Sequence, residues 1–125
     1  MKKGFTLVEI MIVVAIIGIL IAIAVPGFLR ARENSRGQAC QENLSKIDGA
    51  KEQWALELKL SNGTAISDSA AFLGNTDIFG PDGYVKKKPI CPSGGTYTVN
   101  AIGTDPECSI GTTNAPFTPH KMPGD

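Results

Sequence analysis

Few side chains in this sequence have a type and position that could do chemistry, and they fall in two places. One is Glu9, a lone carboxylate just before an uncharged run over residues 10–29. A carboxylate in hydrocarbon costs about 2.5–3.5 kcal/mol on insertion scales, so such a residue normally has a partner or a task. The other is the set Cys40, Cys91, Cys108 and His120. Thiols and an imidazole can form disulfides, act as nucleophiles or hold a soft metal. The spacing argues against a metal: no C-x-x-C pair is present, so a zinc set from these four is nominal and none is expected. Cys91 and Cys108 lie in a Gly/Pro-rich region and suit one disulfide in an oxidising compartment. That bridge would close a loop of about 18 residues and add about 3 kcal/mol by chain entropy. Three cysteines allow three pairings, so the connectivity stays open. Cys40 reads as a small core residue, and His120 as a solvated residue of a Pro-rich tail.

Other chemistry is not indicated. There is no phosphate loop, nucleophile elbow or aspartate-rich calcium loop, so neither catalysis nor a cofactor is expected. The chain carries 12 basic and 12 acidic residues, so no net field points to nucleic acid. Lys86, Lys87 and Lys88 form a short basic run that reads as a solvated edge or turn.

The elements that must position these residues begin with the uncharged run. At 1.5 Å rise its residues span about 30 Å, the thickness of a bilayer core. An amphipathic helix follows: Cys40, Leu44, Ile47, Trp54 and Leu58 recur at spacings of three, four or seven. Lys51 falls on this stripe and Ala50 beside it. Glu42 and Lys46 make a favourable i,i+4 pair on another face. Asn62 or Gly63 is the expected cap, so one helix would cover about 5–60, roughly 84 Å long. Pro26-Gly27 lies between the halves, where a proline removes one hydrogen bond and kinks a helix.

The remainder, residues 61–125, is rich in Gly, Pro, Ser and Thr. A short helical turn is expected over 67–74, a turn at Gly80-Pro81-Asp82-Gly83, and the start of a strand at Tyr84-Val85. Residues 96–101 alternate, with Tyr97, Val99 and Ala101 on one face, which predicts a half-buried strand paired with 107–110. A head of this size buries too little alone, so its strands should pack on the Leu44, Ile47, Trp54 and Leu58 stripe. The tail after Gly111, with Pro116, Pro119 and Pro123, reads as an irregular surface segment open to a neighbouring subunit. The expected architecture is α+β: a leader at 1–4, an apolar helix half at 5–29, an amphipathic half at 30–60, and a small antiparallel head at 61–125.

Three readings of the N-terminus compete. A secretory signal peptide fits the basic start, and Ala22-Ile23-Ala24 resembles its cleavage site, but Glu9 and Pro26 oppose it. A plain membrane anchor explains the length but neither Glu9 nor Gly4. The third rests on Lys2-Lys3-Gly4-Phe5-Thr6-Leu7-Val8-Glu9 and the run to Pro26. This segment closely resembles the type IV pilin and type II secretion pseudopilin family. The resemblance implies peptidase cleavage after Gly4, N-methylation of Phe5 and an assembly role for Glu9. It also implies helix packing that bends or melts at Pro26 and Gly27. Charge bias does not settle orientation, because Lys2 and Lys3 face Arg30, Arg32 and Arg36 across the run. The cysteines and the resemblance place the C-terminal part outside the cytoplasm.

The expected function is therefore structural. The subunit would sit in the bacterial inner membrane before assembly, then in a periplasmic or cell-surface filament. Its partners would be copies of itself, minor pilin-like subunits, the prepilin peptidase and methyltransferase, and the inner-membrane assembly machinery. The alternative is a membrane-anchored extracytoplasmic binding module that does not polymerise.

Overall fold

A computed structural model of the chain describes residues 4–66 and 84–124. The expected turns at 67–74 and 80–83, and leader residues Met1, Lys2 and Lys3, lie outside the described residues. The chain divides into two compact units, Met1–Glu33 and Asn34–Asp125. A single helix, α1 (Leu7–Leu58), contributes to both, and the α+β architecture is as expected.

Helix α1 starts where Thr6 and Glu9 close a capping box. The Glu9 N–H donates to Thr6 Oγ1 at 3.2 Å, and the Thr6 N–H donates to Glu9 Oε2 at 3.3 Å. The helix then passes through Pro26 without interruption. Its end is not at Asn62 or Gly63, as the composition implied. Lys59 takes a left-handed φ of 55°, its N–H donates to Leu56 O at 3.3 Å, and the Leu60 N–H donates to Ala55 O at 2.8 Å. That pair of bonds is a Schellman motif. It ends the helix at Leu58 and frees Gly63, at φ 88°, to bond Ile102 O from a following turn.

In the second unit the stripe of α1 is the floor of the core. Cys40, Leu44, Ile47, Ala50, Cys91, Tyr97, Val99 and Cys108 form one buried cluster, with Trp54, Ile66, Val85, Ile110 and Met122 packed against it. Leu58 departs from expectation: it lies past the covered part of the stripe and is 52% exposed, while Ala55 is buried in its place. The sheet is small. Strand β1 (Tyr97–Thr98) pairs antiparallel with β2 (Glu107–Cys108), Tyr97 opposite Cys108. The expected strand over 96–101 is cut short because Asn100 adopts a positive φ of 62°, which leaves the extended region and turns the chain. Tyr97 and Val99 still point into the core, as the alternation required.

Lys51 has a role that its position on the stripe did not disclose. It is fully buried, and its ammonium donates to the carbonyls of Val99 at 2.9 Å, Ala101 at 3.2 Å and Thr104. Asp48 lies 3.9 Å away. Burial lowers the Lys51 pKa from its ordinary value, and the Asp48 charge opposes that shift. One cation thus ties three carbonyls of one loop to the helix. Lys51→Met keeps the apolar stem but removes the three hydrogen bonds that the ammonium donates to this loop. We expect it to lower the unfolding free energy by about 1–3 kcal/mol, measured by denaturant titration of the full chain in detergent.

Candidate functional site

Two places hold the residues with chemical potential. In the first unit, the large apolar side chains of residues 5–29 are 45–84% exposed. The most apolar 18-residue window of the helix has a mean hydropathy of 3.1. Such a surface needs lipid or other helices. Phe5 is 84% exposed, and a Cβ added at Gly4 would meet none of the described residues within 4 Å. Glu9 sits at the head of the apolar surface, with its backbone N–H and carboxylate in the capping box. A carboxylate accepts several hydrogen bonds, so this cap does not exhaust it. The cap was readable from Thr6-Leu7-Val8-Glu9, a T-x-x-E pattern, and it gives Glu9 a local task besides the one inferred for assembly.

In the second unit the structure collects Cys40, Cys91, Cys108 and His120. The three sulfurs and one imidazole nitrogen all lie within 4.8 Å of one another, and all four residues are buried. Cys91 Sγ is 3.4 Å from His120 Nδ1 and 3.8 Å from Cys108 Sγ. The three cysteines are unbonded thiols here. Cys40 belongs to the core, as its place on the stripe required. His120 does not fit the solvated reading: it is 1% exposed.

Four different segments supply these residues. Cys40 comes from α1 and Cys108 from β2. Cys91 opens a turn in which the Gly94 N–H donates to Cys91 O at 3.0 Å, with Gly94 at φ 83°. His120 comes from the tail, which is clamped to the helix rather than free. Asn34 Oδ1 accepts the Thr118 N–H at 3.0 Å, and Gln41 Nε2 donates to Pro119 O at 2.9 Å. The His120 N–H donates to Gly111 O at 2.7 Å. Gly37 makes this approach possible, since a Cβ there would sit 2.3 Å from Thr118 O. Gly95 does the same for Cys108, whose sulfur would lie 2.6 Å from an added Cβ. Asn34, Gly37 and Gln41 recur at spacings of three and four, so they line one side of the helix.

The electrostatics differ from thiol to thiol. Burial pushes the Cys40 thiol up to about 12, while a hydrogen bond from the Tyr97 hydroxyl pulls the other way. That hydroxyl accepts in turn from Asn43 Nδ2 at 3.1 Å. Burial also acts to raise Cys91, but backbone N–H groups of Ser93 and Gly95 bond its sulfur and hold it below the ordinary thiol range. Cys108 is raised by burial, against one backbone N–H from Ile110.

Comparison with known proteins bears on the first place. Residues 1–25 match the model of the prokaryotic N-terminal methylation motif. The type II secretion system core protein G of Pseudomonas aeruginosa is 32% identical over 108 residues, 82% of this chain and 76% of that protein. The type IV major fimbrial protein FimA of Dichelobacter nodosus is 36% identical over 108 residues, 86% of this chain and 60% of that protein. The type IV major pilin protein PilA of Myxococcus xanthus is 46% identical over 56 residues, 45% of this chain and only 26% of that protein. The chain thus matches less than two thirds of the length of either named pilin. No solved structure matches it.

The tail clamp makes a test of opposite signs. Gly37→Ala should lower unfolding stability by about 1–3 kcal/mol, because the Cβ meets backbone that cannot move aside cheaply. Gly49→Ala, where an added Cβ meets none of the described residues within 4 Å, should raise it by up to about 1 kcal/mol. Denaturant titration of the two variants beside the wild type reads both signs.

Proposed function

Because this chain belongs to the type IV pilin and type II secretion pseudopilin family, we propose that it is a structural subunit of a pilus-like or secretion-pseudopilus filament. The observation that carries this is the exposed apolar half of α1, headed by Phe5 and Glu9. Residues 5–25 of it lie in the segment that matches the methylation motif.

The steps follow from the residues. Cleavage after Gly4 removes Lys2 and Lys3 and leaves an amine at Phe5, which methylation would modify. An apolar helix with two fewer charges can enter a bundle of like helices. The Phe5 amine of one subunit then meets Glu9 of a neighbour, and each compensates the burial of the other. That pair sets the axial register, while the apolar faces supply the adhesion. Pro26 takes away the helix bond to Ala22 O, and Gly27 loosens the same turn, so this segment is where α1 bends or melts on leaving the bilayer. The peptidase and methyltransferase, the inner-membrane assembly machinery and minor pilin-like subunits are the partners this scheme requires. The head would lie outside the cytoplasm throughout.

Sequencing the N-terminus of the mature protein tests the processing. A start at methylated Phe5 is expected; a start near Val25 would mean a secreted protein, and an intact Met1 a plain anchor. Assembly is tested by replacing Glu9 with Leu. An unpartnered charge in a buried site costs about 3–5 kcal/mol, so sheared filament should fall by more than about ten-fold by electron microscopy and immunoblot. Filaments at the wild-type level would contradict the register role, whereas a wild-type protein that forms no filament would favour the non-polymerising binding module.

A further inference from the structure

We propose that Cys40, Cys91, Cys108 and His120 form a structural Zn2+ site that ties the head and the tail to α1. The distances carry the argument. Tetrahedral zinc with Zn–S of about 2.3 Å and Zn–N of about 2.0 Å requires S···S of about 3.8 Å and S···N of about 3.5 Å. The separations found are 3.8 Å for Cys91 to Cys108 and 3.4 Å for Cys91 to His120, with all four donor atoms inside 4.8 Å. Three sulfurs and one nitrogen suit zinc, and four protein donors fill its coordination. All four residues are buried. No position is left for a substrate, which makes this a closed structural site and not a catalytic one.

The surroundings fit thiolate ligands. Tyr97, itself held by Asn43, donates to the sulfur of Cys40. Outer donors of this kind orient metal ligands and stabilise their charge. Gly95 and Gly37 are the positions where a side chain would push Cys108 and the tail away. Zinc binding would release the thiol protons to solvent and couple metal affinity to folding. A disulfide between Cys91 and Cys108 uses two of these donors and explains neither Cys40 nor the tail bringing His120 to them. The two alternatives exclude each other, because a ligated thiolate is not available to a second sulfur.

The site was hidden in the sequence because none of its donors is a near neighbour of another. The Cys91-Pro92-Ser93-Gly94-Gly95 turn carries one cysteine where paired zinc motifs carry two. The other donors arrive from the helix, from β2 and from the tail.

Full-length protein purified in detergent from cells grown with zinc decides the matter by metal analysis and thiol counting. We expect one zinc per chain, with three thiols that react with a disulfide reagent only after a chelator is added. Cobalt(II) in place of zinc should give thiolate charge-transfer absorption. His120→Ala and Cys40→Ser should each weaken zinc binding by at least about ten-fold. Protein two hydrogens lighter than the reduced mass, with Cys91 joined to Cys108, would overturn the proposal. So would three free thiols that hold no added Zn2+, or zinc retained with unchanged affinity in both variants. If a variant does not fold, the metal content and thiol protection of the wild type still give the answer.

Discussion

A segment as polar and as rich in glycine and proline as residues 84–124 cannot bury enough surface to fold alone. Its contacts with one face of α1 therefore decide the rest of the second unit. That face runs through Gly37, Cys40, Leu44, Ile47, Lys51 and Ala55. Its residues do several different jobs. Leu44 and Ile47 supply apolar area, Gly37 admits the tail, Lys51 gathers three loop carbonyls, and Cys40 meets the sulfurs of Cys91 and Cys108. With only two residues in each strand, the sheet is too small to organise the head. Polar bonds to the helix do much of what a larger sheet would do.

The same helix has the opposite character in its first unit. There it is apolar around its whole circumference and carries no head. The two halves answer two solvents: hydrocarbon or packed helices for residues 5–29, and water plus a small polar head for the part beyond Asn34. Glu9 stands at the start of the first half with a capping role inside its own chain and a carboxylate able to accept more. A structural subunit needs both properties, because its helix must be well begun before it meets a neighbour.

The helical stripe, the α+β class and the N-terminal segment were legible from periodicity and motif, since those depend on neighbours in the sequence. The inward faces of Tyr97 and Val99 followed from alternation for the same reason. What was not legible depended on partners far along the chain. The helix ends on Lys59 in a left-handed conformation although Asn62 and Gly63 were available. Asn100 breaks a strand that alternation favoured. Lys51 looked like an interruption of the stripe, and only the carbonyls of Val99, Ala101 and Thr104 show why a cation belongs there. His120 looked like a solvated tail residue because nothing local marks the bonds from Asn34 and Gln41 that hold Thr118 and Pro119. The sequence spacing of the four cluster residues argues against a shared site, but spacing tests neighbours in sequence and not neighbours in space.

The central claim is that the apolar half of α1 builds a filament and that Glu9 sets its register. A helical reconstruction of sheared surface or periplasmic filaments, at a resolution that shows side chains, tests this most directly. The account predicts residues 5–29 packed against the same segment of other subunits, with the Glu9 carboxylate within hydrogen-bond distance of a neighbour's Phe5 amine. Filaments of this protein held together through the head, with Glu9 facing solvent and far from any amine, would contradict it.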